Sequence, residues 1–106
     1  MSSPVHLPSL GIGARVDAPL LVLDVAVKSQ IGGDPYTLLT LGNRSGRIGT
    51  EPFWQERQGE VAGLRSGHVV HVIGEVATFR DRRQLRVSSL RHLPEGAVDP
   101  ASLLPS

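Results

Sequence analysis

From His68 to Leu93, apolar and polar positions alternate on either side of a short basic turn, Arg80-Asp81-Arg82-Arg83. Before the turn, Val70, Val72 and Val76 share one parity with Gly74; after it, Leu85 and Val87 alternate with Gln84, Arg86 and Ser88. A period of two sends successive side chains to opposite faces, so the stretch predicts a β-hairpin with an apolar face and an arginine-bearing one. Upstream, Arg15 to Val27 predicts a long first strand. Leu21, Leu23, Val25 and Val27 share one parity, and Leu20, Val22, Asp24, Ala26 and Lys28 the other. Apolar residues on both parities suit a bent barrel strand. Pro35 to Gly42 directs Thr37, Leu39 and Leu41 to one face and Tyr36, Leu38 and Thr40 to the other. Arg47 to Trp54 then puts Ile48 and Thr50 inward. Pro52 cannot donate to a ladder and predicts a bulge at Glu51-Pro52, which returns Phe53 to the core and turns Trp54 outward.

Gln55 to Leu64 is the helical candidate, although Gly59 and Gly63 each weaken it by roughly 1 kcal/mol against alanine. Val61 and Leu64, three apart, give it a small apolar stripe. Such a helix needs an already folded body to plug. Gln30 to Asp34 and Asn43 to Gly46 read as turns; Gly32-Gly33 is hairpin punctuation, since no nucleotide-binding glycine pattern accompanies it. The order strand, strand, strand, short helix, strand, strand is that of an all-β, five-stranded Greek-key OB-fold barrel, with the helix between strands 3 and 4. An SH3-like barrel, the other small five-stranded architecture, usually lacks that helix. The barrel is expected over residues 14–93, after a loose lead-in at 1–13 and before a Pro-rich linker or tail at 94–106.

Composition narrows the class. A chain of 106 residues with 40% apolar and 20% charged residues makes one soluble domain. Without cysteine there is no disulfide framework and no thiolate site. No secretory signal or membrane-length apolar run is present, and a cytoplasmic location is expected. The net charge of +1 conceals a local excess: five arginines and one acid lie between Thr78 and His92. Catalytic signals are missing. No nucleophile motif or paired carboxylates stand out, and His6, His68, His71 and His92 lack metal-ligand spacing. The chain is therefore expected to be non-catalytic, with no metal and no cofactor.

The words DPYTLLTLGNRSGRI and SGHVVHVIGEV…FRDRRQLRV resemble nucleic-acid-binding OB domains of the tRNA-anticodon type. In particular they resemble the N-terminal domain of bacterial YhaM-like 3′→5′ exoribonucleases, over about residues 14 to 93. That family carries an HD-type phosphohydrolase domain downstream, and DPASLLPS looks like the linker before it. No His-Asp dipeptide occurs in this chain, so the resemblance implies a binding module, with catalysis assigned to a C-terminal HD domain. The implied partner is single-stranded RNA or DNA, bound with little sequence preference.

Single-strand binding needs cations along the phosphates and flat side chains beneath the bases. The expected stacking residues are Tyr36 and Trp54, with Phe79 as a third candidate. The expected phosphate residues are Arg47, Arg80, Arg82, Arg83 and Arg86, with Lys28 and Arg44 added only by loop position. A different function is also open: a docking or homo-oligomerising barrel that uses Val22, Leu38 and Ile73 as an outward apolar patch.

Overall fold

The computed structural model describes residues 7, 10–29, 31–94, 96–99 and 103. His6 and most of the expected lead-in and tail lie outside the described residues. Five strands follow in chain order: β1 (Arg15–Ser29), β2 (Pro35–Asn43), β3 (Gly46–Gly49), β4 (Val69–Phe79) and β5 (Arg82–His92). Between β3 and β4 a 3-10 turn at Gln55–Arg57 leads into α1 (Gln58–Val61). All ladders are antiparallel, in the order β3-β2-β1-β4-β5. A parallel bridge from Thr50 to Leu85 brings the two outer strands together, with Glu51 N–H donating to Leu85 O at 3.1 Å. Closing the sheet removes most of its exposed edge. The fold is the expected five-stranded Greek-key OB barrel.

The core is built from the inward residues of every strand. Val16, Leu20, Val22, Leu39, Leu41, Val70, Val72, Val76 and Leu85 are almost wholly buried. Val22 corrects the sequence expectation, which had it outward. The β1–β2 register shifts between Val22 and Asp24, so Leu23 is an extra residue and the core parity changes there. Val16, Leu20 and Val22 face inward before the bulge and Val25 after it. Leu38 and Ile73 are half-buried, so no three-residue apolar patch forms.

β3 is shorter than its sequence run. After Gly49 only Thr50 and Phe53 make isolated bridges, and Pro52 lies between them. Phe53 is buried and Trp54 faces outward. The helix is equally short, and it persists because side chains fasten it. Val61 and Leu64 enter the core, Gln58 Nε2 donates to Phe53 O at 2.7 Å, and Arg57 reaches Val87 O at 2.6 Å. At the other end of the barrel Leu7, inside the stretch expected as loose, is buried in the core, and its N–H donates to Ser45 Oγ. An isolated leucine among Ser and Pro carries no periodic signal.

Candidate nucleic-acid interface

β2 sets the frame of the site. Its inward residues Thr37, Leu39 and Leu41 are buried, so Tyr36, Leu38 and Thr40 share the outer face. The bridge between Thr37 and Phe53 places the next residue, Trp54, beside Tyr36. Their ring centroids are 4.9 Å apart and their planes are inclined at 47°, the tilted geometry that aromatic quadrupoles favour. Trp54 keeps 37% of its surface exposed, so the pair still offers a face to solvent. Lys28 is the cross-strand partner of Tyr36 and projects on the same side. Its placement is better than loop position alone suggested.

Four residues along β2, about 13 Å away at strand rise, the outer face becomes basic. Arg47, Arg82 and Arg83 line a shallow cavity of about 320 Å³ with Thr40, Ile48, Gly49 and Leu7. The parallel contact of β3 with β5 puts the starts of both strands at one level, which is how residues so distant in sequence meet. Arg47 and Arg82 have no ion-pair partner among the described residues. Arg83 is partly committed, donating to Leu10 O at 2.5 Å. Sequence reading passed over Thr40 as a site residue, although its outward parity was visible.

The β4–β5 turn is the two-residue type, with Arg80 at φ 51° and Asp81 at φ 63°. That left-handed backbone matches the twist of the strands but is disfavoured for side chains other than Asn, Asp and Gly. Arg80 lies over the exposed Phe79 ring, 5.2 Å from its centroid. This cation–aromatic tip is separate from the Tyr36–Trp54 pair. Arg86 is not brought to the basic cavity. It faces Glu51 at 3.3 Å and Glu75 at 3.8 Å, with two carboxylates against one guanidinium. Arg44 lies in the β2–β3 turn and is exposed.

The histidines do not converge. His71 pairs with Asp17 at 2.6 Å, His68 Nδ1 meets Arg65 N–H, and His92 Nε2 meets Glu60 O. No group of three His, Asp or Glu is placed to hold a metal among the described residues. No helix among them is long and apolar enough to cross a membrane. Between the 3-10 turn and α1, the bond between Arg57 and Glu60 raises the guanidinium pKa and lowers that of the carboxyl.

An OB barrel with a paired aromatic face and a basic cavity where strands 2, 3 and 5 meet is thus defined. The chain is similar to proteins described as 3′-5′ exoribonuclease YhaM. The one from Listeria monocytogenes is 26% identical over 80 residues, 76% of this chain and 25% of that protein. The one from Shouchella clausii is 29% identical over 92 residues, 87% of this chain and 28% of that protein. The chain spans about a quarter of the length of these curated relatives. Among solved structures, the second OB-fold domain of replication protein A from Methanococcus maripaludis aligns with a TM-score of 0.46 and 16% identity, over 85% of this chain and 91% of that one. No family model matches the chain.

Proposed function

We propose that this barrel binds single-stranded nucleic acid across the outer face of β2 and β3. Bases would stack at Tyr36 and Trp54, and phosphates would be held by Arg47, Arg82 and Arg83. The observation that carries the reading is on β2: Tyr36, paired with Trp54, and Thr40, which lines the cavity of Arg47, Arg82 and Arg83, share one strand face, about 13 Å apart at strand rise. Lys28 flanks the aromatic end, and Arg80 with Phe79 forms a further contact at the hairpin tip. Arg86 contributes little, because Glu51 and Glu75 already offset its charge. Phosphate contacts carry no base information, so sequence preference is weak.

The exoribonuclease description of the relatives favours RNA as the ligand and the cytoplasm as the place. It also favours a substrate-gripping role within a longer protein whose catalysis resides in an HD domain outside this chain. The barrel, with Leu7 as its plug, would be the folding unit, and the tail a tether. Fluorescence anisotropy with a labelled single-stranded RNA tests the site. Arg47→Ala with Arg82→Ala should weaken binding about tenfold or more, while Arg86→Ala should change it less than twofold. Equal losses from both, with the fold intact by circular dichroism, would remove the basic cavity from the site.

A further inference from the structure

β4 leaves β1 early. Its ladder ends at Leu21 and Val69, and the last bonds on that side are Val22 N–H to His68 O and Gly67 N–H to Val22 O, both 2.8 Å. From Asp24 to Ser29, β1 pairs only with β2 among the described residues. The backbone directions follow from the next strand over. Leu39 N–H meets Thr50 Oγ1 and Leu39 O accepts Thr50 N–H, while Thr37 exchanges both its bonds with Phe53. Those groups face away from β1. The pairs Val25–Leu39 and Val27–Thr37 are therefore the non-hydrogen-bonded kind, and the N–H and C=O of Val25 and Val27 point to the open edge. No partner for these four groups occurs among the described residues.

This edge is complementary to itself. With a two-fold axis at Ala26, an antiparallel second copy puts Val25 opposite Val27 and Asp24 opposite Lys28. Both valine pairs then become hydrogen-bonded pairs and satisfy all four edge groups. Asp24 and Lys28 share the outer face, four residues apart and too distant to pair within one strand. Neither has an ion-pair partner among the described residues. Across the axis their opposite charges would stand directly opposed, twice. Val27, 69% exposed in the single chain, would gain a neighbour.

We propose that Asp24–Lys28 of β1 is an isologous dimerisation edge, which joins two barrels by antiparallel pairing of this strand with a second copy of itself. Sedimentation of the 106-residue chain should show a concentration-dependent rise from 11.3 kDa to twice that mass. Amide exchange at Val25 and Val27 should slow in step. Asp24→Lys opposes like charges twice and should weaken the dimer roughly tenfold; Asp24→Lys with Lys28→Asp should restore it. A chain that stays monomeric at every concentration overturns the proposal. So does a dimer indifferent to both variants whose Val25 and Val27 amides exchange freely, which would place the interface elsewhere.

Discussion

Arg57 lies in a segment whose two glycines argue against a helix, and its guanidinium fastens that segment to the barrel. It donates to Glu60 at 2.6 Å and to the Val87 carbonyl, and it lies 4.8 Å from the centre of the Phe53 ring. Arg57→Met should keep the packing of the stem but lower stability by about 1–2 kcal/mol in urea denaturation, since a charge-assisted bond and a cation–aromatic contact are lost. The same pair sets an acid response. The carboxyl of Glu60 is held below its ordinary value by the bond from Arg57. Its contribution is complete above that ordinary value, near pH 4.5, and fades as pH falls through the lower folded value. Glu60→Gln should remove that part of the acid sensitivity of the melting temperature. Parity exposed Tyr36 and Trp54 as outward residues from sequence alone. The neutralisation of Arg86 was not legible, because it depends on Glu51 arriving from a different strand across the barrel closure.

At the level of strands, the order of elements was readable from alternation, while two bulges were not placed. In β1 the run Leu-Leu-Val-Leu is apolar on both parities, so nothing in it marks Leu23 as the extra residue; only the partner strand does. In β5 the signal was present but faint: Leu85 and Val87 share a parity that Leu90 breaks, and the β4–β5 register shifts between Ile73 and Gly74. That shift is why position 74 is glycine. A Cβ there would overlap the Arg86 carbonyl oxygen and lie 3.1 Å from the Val87 Cα, both backbone atoms that cannot move aside cheaply. Gly74→Ala should therefore destabilise the barrel by about 1–3 kcal/mol in thermal or urea unfolding. Because Arg86 and Val87 flank the closure with β3, the same variant should also loosen amide protection at Glu51.

In the whole molecule, the proposed function depends on closure. The contact of β3 with β5 is what carries Arg82 and Arg83 from the terminal hairpin to Arg47 and Thr40 at the β2–β3 end of the proposed site. The hairpin with its basic turn was the clearest feature of the sequence, yet only part of it faces the proposed site. With phosphates held by Arg47, Arg82 and Arg83, about three contacts, the slope of log affinity against log salt should be roughly −2 for a single strand. The chain has a single tryptophan, placed at the centre of the proposed stacking surface. Titrating its emission with single-stranded RNA at several salt concentrations tests the account most directly. Saturable quenching that weakens with that slope, and is reduced by Arg47→Ala with Arg82→Ala, is the predicted result. Binding that leaves Trp54 emission unchanged, or that ignores salt, would contradict it.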